Sequence, residues 1–196
     1  MLITLVVANQ KGGVGKTTTA LNLAASLSAA SRKVLLIDLD SQGNSTSGTG
    51  EEKNEASHSL IDILLNEGFP IEKAIEQTKY KFDLIPASVD LISAEIELGS
   101  LPNPTSLLKN KLSNMQASYD YVVIDCPPSL GMISVSALRA ASKVLIPLQC
   151  EYYSLEGLAS MSKTLREINE ATGENIEING ILRTMYDSRI RLSREV

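Results

Sequence analysis

The sequence predicts an α/β fold, an open, twisted, mostly parallel sheet with helices on both faces. Three observations predict it. Short runs rich in β-branched residues alternate with longer segments of helical period. Those short runs are apolar almost without a break, which suits strands buried on both faces of a parallel sheet. A glycine-rich loop separates the first strand from the first helix, at the carboxyl end of a strand, where such sheets hold their ligands. The 196 residues are 43% hydrophobic and 21% charged, enough to bury a full core, and no linker or internal repeat divides them. One domain spanning residues 1–196 is expected.

Taken in order, the strands are expected at Leu2–Ala8, Lys33–Asp38, Phe82–Pro86, Tyr121–Asp125, Lys143–Leu148 and Ile176–Thr184. Helices are expected between them at Thr17–Ala30, Ser59–Asn66, Ile71–Gln77, Val89–Leu98, Ser106–Ala117, Ile133–Ala141 and Leu155–Ala171. This β-α-β-α order implies right-handed crossovers. One stretch breaks the rhythm: Ser41–Ser59 is rich in Gly, Ser, Thr and Asn and reads as a surface loop. Chemistry is therefore expected just after residues 8, 38 and 125.

Composition excludes several classes. The longest apolar runs, such as Leu2–Ala8, fall far short of the roughly 18–20 residues of a membrane span. The N-terminus has no basic segment of a secretory leader. Two cysteines, Cys126 and Cys150, make no disulfide scaffold, and a cytoplasmic chain is expected. A net charge of −5 argues against a wholesale nucleic-acid coat while leaving room for a local basic patch. His58, the only histidine, reads as a solvated or capping residue.

Asn9-Gln10-Lys11-Gly12-Gly13-Val14-Gly15-Lys16-Thr17-Thr18 follows a strand and opens a helix, the context of a phosphate-binding P-loop. Glycines let successive backbone N–H groups turn inward around phosphate oxygens, and the helix N-terminus adds a favourable dipole. Lys16 would neutralise β/γ-phosphate charge, and the Thr17 hydroxyl would ligate Mg²⁺. The strict G-x-x-x-x-G-K-[ST] pattern fails at its first position, which is Gln10, and an extra lysine stands at Lys11. Val34–Asp38 ends in a carboxylate, with a second two residues on at Asp40. Both suit either water and Mg²⁺ chemistry or loop capping. Tyr121–Asp125 has the Walker B form, apolar residues ending in an aspartate that reaches Mg²⁺ through water.

The segment Lys11–Thr18 resembles the deviant Walker A motif of the ParA/MinD superfamily. Cys126-Pro127-Pro128-Ser129-Leu130-Gly131 and Gln149-Cys150-Glu151-Tyr152-Tyr153 are similar to its ParA/Soj chromosome- and plasmid-partition branch. The resemblance runs from residue 2 to about residue 189, and is thin over residues 51–80. It implies a P-loop ATPase with ATP and Mg²⁺ as cofactors. Lys11 would reach the partner's phosphates across an ATP-dependent homodimer, and Asp40 would position the hydrolytic water. Asp40 and Asp125 would serve Mg²⁺ together with Thr17.

The resemblance further implies non-specific DNA binding, hydrolysis stimulated by a ParB-like centromere-binding protein, and a nucleoid-associated location. Four of the seven arginines, Arg183, Arg189, Arg191 and Arg194, fall in the last fourteen residues, and Arg189 and Arg191 are the candidate DNA contacts. No membrane is expected as a partner. The nitrogenase iron protein of the same superfamily shares a cluster between subunits through cysteines, but the surroundings of Cys126 and Cys150 favour buried structural thiols. Partition ATPases of this type usually continue for about fifty residues more, so the usual C-terminal portion is expected to be lacking. Two alternatives stand beside this reading: a MinD-like membrane-surface ATPase, and a nucleotide-binding regulator without hydrolysis.

Overall fold

The computed structural model describes residues 2–51, 60–88 and 90–195. Among the described residues, seven strands form one sheet: β1 (Ile3–Val7), β2 (Val34–Asp38), β3 (Glu76–Gln77), β4 (Asp83–Ile85), β5 (Tyr121–Asp125), β6 (Lys143–Gln149) and β7 (Glu177–Thr184). Their order across the sheet is β3-β4-β2-β5-β1-β6-β7. Every pairing is parallel except β3 with β4. Helices α1 (Lys16–Ala29), α2 (Asn44–Thr49), α3 (Leu60–Leu65), α4 (Leu91–Leu98), α5 (Leu107–Asn114), α6 (Met132–Ala140), α7 (Tyr152–Thr172) and α8 (Arg191–Glu195) connect or follow the strands.

Alternation along the strands divides the core between the two faces. Val7, Val34, Leu36, Leu84 and Val123 point to one face, where Ala20 and Ala24 let α1 lie close against them. Val6, Leu35, Ile37, Ile85, Val122 and Ile124 point to the other, against Leu91, Leu112, Ala137 and Leu138. Burial of each such aliphatic side chain stabilises the fold by about 1.5–3 kcal/mol relative to exposure. Register then sets the site: Val7 and Asp38 both pair with Asp125, so β1, β2 and β5 end at one level.

Several expectations need correction. Residues 71–77 are not a helix. A short 3₁₀ turn, Ile71–Ala74, gives way at the extended Ile75 to β3, which adds an antiparallel edge. The Ser41–Ser59 stretch is not wholly loop, because α2 forms within it between two left-handed glycines, Gly43 (φ 59°) and Gly50 (φ 83°). The helix expected to reach Ala117 stops at Asn114, where Met115 turns extended. β7 is not buried on both faces: it is an edge strand, and Ile178, Ile181 and Leu182 are 40–48% exposed. His58, Ser59 and Val89 lie outside the described residues. Among the described residues, no helix is long and apolar enough to cross a membrane.

Candidate nucleotide site

The loop after β1 turns on two glycines, Gly13 at φ 73° and Gly15 at φ 88°, a region that favours glycine. A Cβ placed on Gly12 or Gly13 would meet nothing within 4 Å, so the loop faces open space. Gly15 caps α1 without any side-chain hydrogen bond, and α1 has no acidic residue in its first turn. The first turn of α1 therefore carries no capping side chain and no acid of its own, and Lys16, Thr17 and Thr18 line the cleft, as an anion site requires.

The cleft has a volume of about 430 Å³ and is lined by Gly12, Gly13, Gly15, Lys16, Thr17, Thr18, Asp40, Asn44, Pro128 and Met185. Val14 is fully buried behind it. Lys16 is buried, and its Nζ donates to the carbonyl of Lys11 at 3.0 Å. Burial lowers its pKa, against the opposing pull of Asp125 and Asp40.

Asp38 and Asp125 are fully buried and Asp40 nearly so. They do different things. Asp38 Oδ2 accepts from both the N–H and the hydroxyl of Thr46 at 2.8 Å, and Oδ1 accepts from the Asp40 N–H at 3.2 Å. It tethers α2 to the end of β2, and burial raises its pKa. Asp40 accepts from the Gln42 N–H at 3.0 Å and faces the cleft. Asp125 Oδ2 accepts from the Ser45 hydroxyl at 2.7 Å, while Oδ1 is buried and makes no hydrogen bond. Its carboxyl is pushed up to about 7, first by burial; the Ser45 bond works against this, the charge of Asp38 adds to it, and Thr17 works against it. A buried carboxylate oxygen without a donor, beside the Thr17 hydroxyl, fits a hydrated Mg²⁺.

Sequence reasoning passed over the residues that hold the loop. Asn9 Nδ2 donates to the Pro147 carbonyl at 2.7 Å, and its Oδ1 accepts from the Lys11 N–H at 2.9 Å. Thr184 Oγ1, at the end of β7, donates to the Val14 carbonyl at 2.9 Å. Lys11 Nζ lies 2.5 Å from Glu151 Oε2. A resemblance points to motif residues; these contacts join positions up to 170 apart, which no local spacing announces.

Arg189 and Arg191 lie outside the cleft and are strongly exposed. Arg189 forks onto Asp187 and Arg191 pairs with Glu195 at 2.6 Å, each on its own segment. Cys126 and Cys150 are buried free thiols, and burial pushes the Cys126 thiol up, away from thiolate reactivity. No group of three or more His, Cys, Asp or Glu side chains fit for a metal occurs among the described residues.

Residues 3–178 match the family described as AAA domain. The chain is 45% identical to the chromosome partitioning protein ParA of Myxococcus xanthus, over 98% of this chain and 68% of that protein. It is 44% identical to the sporulation initiation inhibitor protein Soj of Bacillus subtilis, over 98% of this chain and 76% of that one. Among solved structures, cobyrinic acid a,c-diamide synthase of Mycobacterium smegmatis with bound ADP and magnesium superposes with a TM-score of 0.93 at 38% identity. That match covers 100% of this chain and 79% of the synthase.

Proposed function

The chain belongs to the ParA/Soj partition ATPases of the AAA domain family, and from that premise we propose that it is an ATP-dependent dimerising, DNA-binding ATPase of plasmid or chromosome partition. ATP and Mg²⁺ are its cofactors. The observation that carries the reading is the convergence, at one level of the sheet, of the uncapped α1 N-terminus, Lys16 and the unpartnered oxygen of Asp125. A triphosphate supplies the charge that the amides and Lys16 lack, and it offsets the burial of Lys16. The buried Asp125 oxygen without a donor, with Asp40 on the same cleft, suits a cation bound together with the phosphates.

Lys11, Gly12, Gly13, Val14, Gly15, Lys16, Thr17 and Thr18 form the phosphate cradle. Mg²⁺ spreads the charge developing on the β- and γ-oxygens when it is bound. Thr17 would hold it directly and Asp125 through water, and Asp40, on the same cleft, would serve it as well. Asp40 orients the attacking water. The water oxygen bonds to the γ-phosphorus as the bond from that phosphorus to the β,γ-bridging oxygen breaks, a water proton passing to the phosphate formed, and Lys16 offsets the charge left on ADP. Lys11 reaches the partner's phosphates and so makes catalysis and the dimer interdependent.

The ATP dimer then binds DNA non-specifically, with Arg189 and Arg191 trading their own acids for phosphates. A ParB-like centromere-binding protein stimulates hydrolysis and releases it. The setting is the cytoplasm, at the nucleoid. The test pairs phosphate release with a DNA gel shift and liposome sedimentation, each with ATP and Mg²⁺. Phosphate release together with ATP-dependent retention of duplex supports the reading. Sedimentation with liposomes alone favours a membrane-surface ATPase, and nucleotide binding without phosphate release a regulator.

A further inference from the structure

Lys11 is already engaged within its own chain. Its ammonium sits 2.5 Å from Glu151 Oε2, and the two side chains are 36% and 47% exposed. Glu151 occupies the N-cap of α7 but makes no capping hydrogen bond, so its carboxylate is committed to Lys11. The two residues before Lys11 dock on the same β6–α7 unit. Asn9 bonds the Pro147 carbonyl, and Gln10 Nε2 donates to Ser160 Oγ at 3.3 Å. The start of the phosphate loop is thus tied to β6 and α7 at three successive residues, and the third tie is ionic.

We propose that Glu151 is a latch in cis: it holds Lys11 on its own subunit and must release it before Lys11 can serve a partner's nucleotide. Glu151 thereby sets the protein concentration at which the ATP dimer forms. This rests on the reading of Lys11 as a lysine that crosses the interface. In this arrangement the Lys11 charge is directed at the Glu151 of its own subunit; dimerisation would redirect it, exchanging one carboxylate for a triphosphate of higher charge. The exchange is reversible because a half-exposed Glu151 is solvated once released. Without nucleotide on the partner there is no anion to exchange for, and the latch stays closed.

The magnitude follows from the exposure. A solvent-exposed ion pair shifts an equilibrium by about 1.4- to 5-fold, and a symmetric dimer opens two, so the product is about 2- to 25-fold. The experiment compares wild type, Glu151→Gln, Glu151→Asp, Lys11→Ala and the double variant Lys11→Ala/Glu151→Gln by light scattering against protein concentration, with a slowly hydrolysed ATP analogue. Glu151→Gln should dimerise at about 2- to 25-fold lower concentration than wild type. Glu151→Asp should return toward wild type, and the double variant should stay monomeric like Lys11→Ala.

A Glu151→Gln protein that needs as much protein as wild type, or more, overturns the latch. So does a double variant that dimerises while Lys11→Ala does not. Aggregation of a damaged variant also raises scattering but needs no nucleotide, so the gain is scored as the difference with and without the ATP analogue. Lys11→Ala dimerising as readily as wild type would instead refute the crossing role of Lys11, a failure distinct from that of the latch.

Discussion

Replacing Asp125 by Asn should make the nucleotide-free protein more stable at neutral pH while removing its response to Mg²⁺. Asp125 is fully buried, and its carboxyl is raised from 3.8 to about 7, chiefly by burial. The folded state therefore keeps a proton that the unfolded chain gives up. Below pH 3.8 both states are protonated and the group costs nothing. As pH rises from there to about 7 the folded state loses ground, and above 7 the full penalty applies. Roughly three pK units at about 1.4 kcal/mol each make that penalty about 4 kcal/mol. Asn carries no charge, and the Ser45 hydroxyl can still pair with it. Nucleotide-free Asp125→Asn should thus exceed wild type by roughly 2–4 kcal/mol at pH 8, about 4–15 °C in Tm, and match it at pH 4. Urea unfolding of both proteins at pH 4, 6 and 8 measures the difference. Equal pH slopes in the two proteins would refute the burial argument. A Tm gain from ATP that still depends on Mg²⁺ in the variant would refute the role of Asp125 at the metal.

Three further outcomes are expected. Lys16→Ala should abolish nucleotide binding, since it removes the cation facing the β/γ-phosphates; unchanged ATP affinity by calorimetry would remove the P-loop assignment. Asp40→Ala should bind ATP normally yet hydrolyse about 100-fold more slowly or worse, and accumulate as the ATP dimer; normal phosphate release would end its role in orienting water. Thr184→Val keeps the shape of the side chain but loses the hydrogen bond to the Val14 carbonyl. That bond is worth about 0.5–1.5 kcal/mol, so ATP affinity should fall by roughly 2- to 12-fold. An unaltered affinity would show that β7 does not brace the loop.

What the sequence made legible was whatever depends on neighbours along the chain. The apolar run Val34–Ile37 and its terminal aspartate fix a buried strand by local alternation. The glycines of the loop declare themselves because positive φ favours that residue. Residues 71–77 misled because Ile71, Ala74 and Ile75 satisfy a helical period, whereas the pairing of Glu76 and Gln77 with β4 is a tertiary contact that outweighs it. β7 misled because Ile178, Ile181 and Leu182 read as core residues among the polar Glu177, Asn179 and Arg183, and only the sheet order puts it at an edge.

The acidic pair after β2 shows the same limit at the site. Two residues apart, Asp38 and Asp40 share one side of an extended strand, and spacing alone gives them one role. The strand ends at Asp38, however, and the chain turns, with the Gly43 N–H bonding the Asp40 carbonyl at 2.7 Å. That turn sends Asp38 to the Thr46 amide and hydroxyl, and leaves Asp40 on the cleft. Thr46 Oγ1 also accepts from the Ala87 N–H at 2.9 Å, so Asp38 fastens α2 to the loop after β4 as well. α2 in turn carries Ser45, the donor to Asp125. Position and chemistry are therefore coupled in one direction. Asp38 holds α2, α2 holds Ser45, and Ser45 occupies one oxygen of Asp125, which leaves the other without a protein donor. A site built this way is strained without a cation, because the carboxyls of Asp38 and Asp125 are raised by burial and by their acidic neighbours. Binding of a nucleotide with its cation relieves that strain, so the same cluster that weakens the empty fold favours the loaded one.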